Sequence, residues 1–454
     1  MTIRRRCWTT ILIPLMCASS AWAQQDQSNE QANSPAPGTM IADTRPLSGI
    51  ESLGLGSVAG ERSYVSPGFL VSQTAQSNAQ FEQGGQQGFG AVALLGGNVA
   101  LDSVGRRNHF NLAYQGGAIL YETGSQNDST YQEFGFSDSL SFRRAVFTLT
   151  DRFSYLPGFY GGLGGVGYGG ALSLNGVGTL PGLNTGFVPQ RGILTNGAGY
   201  SNVALAQLEY MPGARSSFTL AGGFQYLDFN QQGSVSVNSV IGQAGYNRTL
   251  TARDTIAVYC SIVLYHYRGT SEDVNSGVVG FSYGRRITNR LALQLFGGPE
   301  FYATTVPGHT QSSTNGYGRA SLTYRWPRTE LSVSYFKGLT GGSGVLNGAN
   351  TNSVYTSINH QLSTKWAGGL GFNYYFNSAL QRPGSAEPSQ TYNYWNGTCS
   401  VTRTLGRQAR VVGFYGFQTQ NSNQPFSLGG HHGQSVLNNI FGINFSYTFR
   451  PIGI

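Results

Sequence analysis

Phe441-Gly442-Ile443-Asn444-Phe445-Ser446-Tyr447-Thr448-Phe449 alternates a large apolar residue with a small or polar one and stops five residues short of the end of a 454-residue chain. Successive side chains of an extended strand point to opposite faces, so this stretch has one greasy face and one polar face. The same pattern recurs upstream. Phe218, Leu220, Phe224 and Tyr226 share one parity, as do Ile256, Val258, Cys260, Ile262 and Leu264, and Leu291, Leu293 and Leu295. The segments run for about 10 to 15 residues, which is long for a soluble strand and right for a tilted crossing of a bilayer. Their polar face carries Gly, Ser, Thr, Asn and Gln, as a watery lumen requires.

Composition narrows the choice further. Only 11% of residues are charged, against about 25% in soluble domains. Glycine contributes 65 residues, and aromatics reach 13% with 26 Tyr and 26 Phe. A soluble α/β enzyme and a charged disordered chain are both excluded. Beyond the N-terminus there is no run of 18 apolar residues, so helical spans are excluded too. An all-β protein remains, its surface not obliged to be charged.

Residues 1–23 read as a cleaved signal peptide. Arg4, Arg5 and Arg6 precede a short apolar stretch, and Ala21-Trp22-Ala23 supplies the small-x-small cleavage site. Without its three arginines the formal charge falls from +8 to +5, and no basic run follows, so nucleic acid is not an expected partner. Residues 24–67, rich in Gln, Asn, Ser and Pro, read as a disordered periplasmic extension. Cys260 and Cys399 fall on separate strands and are not expected to form a disulfide.

From about Phe69 onward, tight basic or Pro/Gly turns alternate with longer connections. The tight ones include Gly105-Arg106-Arg107, Thr251-Ala252-Arg253, Thr288-Asn289-Arg290 and Trp326-Pro327-Arg328. The longer ones, such as 341–350 and 377–389, read as surface loops. Eight short turns plus the first and last strands give an antiparallel up-and-down transmembrane barrel of about 18 strands over 68–450. Both chain ends, including a tail at 451–454, then lie on the periplasmic side. Trp326 and Trp366 sit beside short turns, where an interfacial aromatic belt belongs. Asp138 and Asp151 fall on the lipid-facing parity. A bulge, or a reversed face on strands four and five, would remove the conflict.

Chemistry-bearing motifs are sparse. Gly162-Leu163-Gly164-Gly165-Val166-Gly167 fits a dinucleotide fingerprint literally but lacks the strand–helix setting that gives the motif meaning. His431-His432 lies in what reads as the last long loop, with no further ligand beside it, so no metal site follows. His266 and His360 are the only histidines on strands that could serve a Ser–His pair, and nothing marks a nucleophile near them. No catalytic residue, cofactor or metal is expected, and the chain is not read as an enzyme. The stretch 157–200 holds a single charge, Arg191, among many apolar residues, so a water-exposed loop is a poor description. Arg191 is therefore the first candidate for a pore-lining charge. Glu133, Glu300 and Arg319 have lumen parity on wider wall.

The closing alternation resembles the C-terminal sorting signal of Gram-negative outer-membrane barrels. That resemblance implies that Phe441, Ile443, Phe445, Tyr447 and Phe449 address the outer-membrane assembly machinery, with the lipid bilayer as the permanent partner. The stretches Arg45-Pro46-Leu47-Ser48-Gly49, Asp151-Arg152-Phe153-Ser154-Tyr155-Leu156-Pro157 and Gly341-Gly342-Ser343-Gly344 are similar to uncharacterised porin-like barrel proteins. Porin likeness implies that 157–200, as the third outer loop, folds inward as a constriction. It implies passive diffusion of small hydrophilic solutes. A barrel for polysaccharide export or surface assembly, and a structural barrel with closed lumen, stay open beside it, as does the choice between a single barrel and a homo-oligomer.

Overall fold

The computed structural model describes residues 47–50, 63–78, 89–122, 128–156, 199–229, 234–342, 346–381, 389–428 and 431–454. Eighteen antiparallel strands, β1 to β18, follow one another around a ring that closes on itself. Each pairs with its sequence neighbours, and β1 (Tyr64–Gln76) pairs with β18 (His431–Thr448) from Gly68↔Thr448 to Gln76↔Ile440. Closure follows from the solvent. A sheet edge in hydrocarbon leaves its N–H and C=O groups unpaired, at several kcal/mol each. A strand of 13 residues, tilted by about 40°, covers about 33 Å, enough for a bilayer core of about 30 Å.

The alternation sorts as expected. Leu220 (62% exposed), Val258 (54%) and Ile443 (62%) face outward, while Thr219, Ser261 and Asn444 on the same strands are buried on the inner face. Trp326 and Trp366 lie on the outside at the short-turn end, Trp326 edge-on to Tyr324 and Trp366 beneath the Arg403 guanidinium. Several short turns are closed by a hydroxyl: Thr288 Oγ1 accepts from the N–H of Arg290 and Leu291, and Ser363 Oγ from Lys365 and Trp366. Cys260 and Cys399 are free and exposed.

Several expectations need correction. Not every connection at the far end is long: β9 (Asp254–Arg268) reaches β10 (Asp273–Arg286) through Gly269, and β11 (Leu291–Val306) reaches β12 (His309–Arg325) through Gly308, both glycines at positive φ. The last hairpin is far longer than the sequence suggests, because β17 (Ala409–Leu428) and β18 stay paired to Leu428↔His431 across a register shift between Asn421 and Phe426. His431 and His432 therefore lie in a strand and not in a loop. The tail at 451–454 is paired as well. Phe449 donates its N–H to Pro67, and β19 (Ile452–Gly453) pairs with Tyr64 and Val65, extending the closing seam below β18.

Asp138 and Asp151 stay on the outward face. The ladders from β3 (Asn108–Tyr121) through β4 (Ser129–Ser141) and β5 (Ala145–Leu156) to β6 (Gly199–Gly213) run without a bulge or reversal over those positions. Asp138 pairs with Phe110 and Leu149, Asp151 with Phe136 and Ala204. Asp151 instead gains a polar neighbour on the same face, as Asn202 Nδ2 donates to it at 3.0 Å.

Candidate functional site: the bore and what narrows it

At the short-turn end, four described residues within 24–67 meet the barrel, whose next strands are β7 (Ser216–Phe229) and β8 (Ser236–Thr249). Leu47, Ser48, Gly49 and Ile50 are docked on the inner wall of β6 to β10, and residues 64–67 already belong to β1. Ser48 carries most of the polar contacts. Its N–H donates to Asn247 Oδ1 at 2.8 Å, Asn247 Nδ2 donates to its Oγ at 2.7 Å, and Gln243 Nε2 donates to its carbonyl at 2.7 Å. Its hydroxyl also meets that of Thr219. Ile50 packs with Val203, Leu205, Ala221 and Ile241, four inward residues that form an apolar strip in an otherwise polar wall. Leu47 lies over Gly284. The pattern 24–67 reads as polar and loose because these few residues supply little apolar surface to one another; their partners are strands 150 to 240 positions away, on the order set by the contacts above.

At the opposite end the wall itself folds inward. The ladder between β12 and β13 (Thr329–Thr340) stops at Gly318↔Lys337. The ladders of β13 with β14 (Ala349–Gln361), and of β14 with β15 (Trp366–Ala379), continue to Thr340↔Ala349 and Ala349↔Ala379. The ends of β13 to β15 therefore leave β12 together. Leu339, whose parity with Tyr335 and Lys337 would aim it at lipid, is instead buried against Tyr265, Tyr267, Val237 and Leu380. Leu346 is buried in a second cluster with Leu94, Tyr131, Tyr392, Tyr394 and Ile440, from strands on the other side of the ring. The described residues of the connection between β13 and β14 thus form an arch into the bore, with Leu346 on one wall and Gly348 against Leu380 and Tyr267 on the other. The sequence placed 341–350 on the surface; among its described residues Gly342, Leu346, Gly348 and Ala349 are buried.

Hydrogen bonds pin this arch. Asn347 Nδ2 donates to Glu272 Oε2 at 2.6 Å, in the tight turn between β9 and β10. Thr340 and Thr351 share a hydroxyl contact at 2.8 Å, and Thr351 donates to Asn377. Gly342 and Gly348 adopt φ of 82°, which a side chain would resist, and a Cβ at Gly348 would also press on Leu380 at 2.8 Å.

Of the charges picked from the sequence, Glu300 sits at the foot of the arch. It is 2% exposed, on the inner face of β11. Its carboxylate accepts the N–H of Leu339 at 3.1 Å and the Ser276 hydroxyl at 2.9 Å. That N–H belongs to the part of β13 that has lost β12, so the carboxylate replaces a missing rung of the ladder. Asn315 links Glu300 to Asn350 by donating to Asn350 Oδ1 at 2.9 Å. Arg319 also faces inward, its guanidinium 5.3 Å from the Phe296 ring centre. Glu133 faces inward on β4, 3.8 Å from Arg152. The structure does not bring Glu133 to the other two. Arg191 and all of 157–198 lie outside the described residues.

Sequence reasoning missed Leu339, Leu346, Asn347 and Glu272. The one available signal was glycine density at 341–348, which reads equally well as an exposed loop. The separation of β13 from β12 leaves a polar cleft of about 220 Å³ lined by Tyr302, Thr304, Gln311, Ser313, Asn350 and Ser378, among others. Among the described residues the inner surface offers amides, hydroxyls and a few fixed charges, all able to hydrogen-bond polar molecules. His266 bonds Asp273 at 2.6 Å on the outward face, and His360 bonds Thr329.

No protein-family model matches the chain, and no curated protein matches it. Among solved structures it is similar to OpdQ of Pseudomonas aeruginosa, at 12% identity and a TM-score of 0.44, over 86% of this chain and 99% of that one. OccAB3 of Acinetobacter baumannii is similar at 8% identity and a TM-score of 0.45, over 85% and 99%. OccK2 (OpdF) of P. aeruginosa, solved in complex with glucuronate, is similar at 9% identity and a TM-score of 0.42, over 86% and 96%.

Proposed function

We propose that the chain is an outer-membrane, porin-like channel for passive diffusion of small hydrophilic solutes, with the short turns and both chain ends on the periplasmic side. The observation that carries this reading is the arch. A barrel of 18 strands is wide enough to hold water, and a wall segment turned inward narrows its bore. That inward fold is fixed by the Glu300 carboxylate and by apolar contacts to both walls, as a stable constriction requires. Discrimination then comes from cross-section and from the inward charges Glu300, Arg319 and Glu133. In the same proposal 157–200 narrows the bore further, with Arg191 as its charge, and residues 1–23 are removed on export.

Planar-bilayer recording of the refolded protein tests this. Steady ohmic steps are the expected result, together with swelling of loaded liposomes in sugars of graded size up to a sharp cut-off. Silence in both assays from protein shown to be folded by its heat-dependent gel mobility would overturn the channel reading.

A further inference from the structure

The tetrapeptide on the inner wall is superfluous to the barrel. The ring closes through β1 and β18 without it, and it lies 13 positions before the first residue of β1's flank, Ser63. Yet residues of four strands, β6, β7, β8 and β10, converge on it. The Asn247 amide bonds the Ser48 main chain with one end and its hydroxyl with the other, while Gln243 holds the carbonyl. Main-chain reading of this kind, flanked by one recess for Leu47 and one for Ile50, is how an extended peptide is recognised. The recess for Ile50 is also an apolar strip inside a polar bore, which water would leave uncovered at a cost.

We propose that this strip of β6 to β10 is a peptide-binding site inside the bore, kept filled by residues 47–50 of its own chain. Its ligand class is a short peptide with an uncharged core, a Ser-Gly pair between two branched aliphatic residues. The attachment is exchangeable, because four residues with two apolar anchors barely outweigh the entropy of ordering them. The tether to β1 keeps the resident segment at an effective concentration on the order of millimolar, so a second peptide meets a competitor.

The test uses full-length protein in detergent and a fluorescent peptide with the sequence of residues 44–52. The variant Leu47→Asp/Ile50→Asp alters only the docked segment and leaves the ladders untouched. It should bind the peptide saturably and at least tenfold more tightly than the unaltered protein. A peptide carrying the same two aspartates should not bind. Adding Gln243→Leu and Asn247→Leu to the wall should abolish binding while the heat-dependent mobility of the folded barrel persists. A folded double variant that shows no saturable binding, or that binds both peptides alike, overturns the proposal. The readout does not depend on conduction, so it stands or falls apart from the channel reading.

Discussion

Glu300 shows how much one side chain can decide. Parity alone put it on the inner wall, together with Arg319 and Glu133; in the structure Glu300 and Arg319 are buried, Arg319 beside Phe296, and Glu133 lies 3.8 Å from Arg152. What parity could not show is that a carboxylate on β11 would meet a main-chain N–H on β13, two strands away. That meeting depends on where the β12–β13 ladder ends, a tertiary event with no local signature. Glu300→Ala leaves the Leu339 N–H without its acceptor, a loss of about 1–3 kcal/mol for a buried donor. The expected outcome is a looser arch, seen as noisier and larger unitary currents. Glu300→Gln, which keeps an acceptor oxygen, should fall between the two.

At the scale of elements, the strands were legible and their ends were not. Period 2 with turn residues between is a strong signal wherever one face meets lipid, and Phe218 to Tyr226 or Phe441 to Phe449 could hardly be read otherwise. The signal fades where the wall turns inward, because both faces of β13's last residues then meet protein. Leu339 obeys its parity and still ends up buried. The docked segment at 47–50 was invisible for a related reason, since its apolar partners are spread over several distant strands. Accessibility separates the two kinds of far-end connection. In a Cys260→Ala/Cys399→Ala background, Thr310→Cys at the exposed β11–β12 tip should react with an impermeant maleimide on intact cells. Leu346→Cys in the arch should react at least tenfold more slowly, and Arg253→Cys only after the outer membrane is breached. Fast labelling of position 346 would place the arch outside the bore.

For the whole molecule, closure is the controlling event, and it is split between two elements. Ending the chain after Asn444 removes Phe445, Tyr447 and Thr448 from the ladder with β1 and exposes two edges to lipid. Such a chain should fail to show the heat-dependent mobility of a folded barrel. Ending it after Phe449 removes the β19 contact with Tyr64 and Val65 and the Ile454 N–H bond to the Ser63 carbonyl, so the barrel should form and melt slightly earlier. The inward fold of β13 to β15 carries a further consequence for the wall it leaves behind. Residues 309–317 of β12 are laddered to β11 on one side, while the ladder to β13 begins only at Gly318. Protection from solvent deuterium follows the energy of local opening, and a strand held along one margin opens at lower energy than one held along both. Amides of 309–317 should therefore exchange well ahead of those in the far-end halves of β9 and β10, which are flanked on both sides. The same stretch is where a steadily applied pull would begin to unzip the ring, so narrowing the bore has left the cylinder with a built-in tear line.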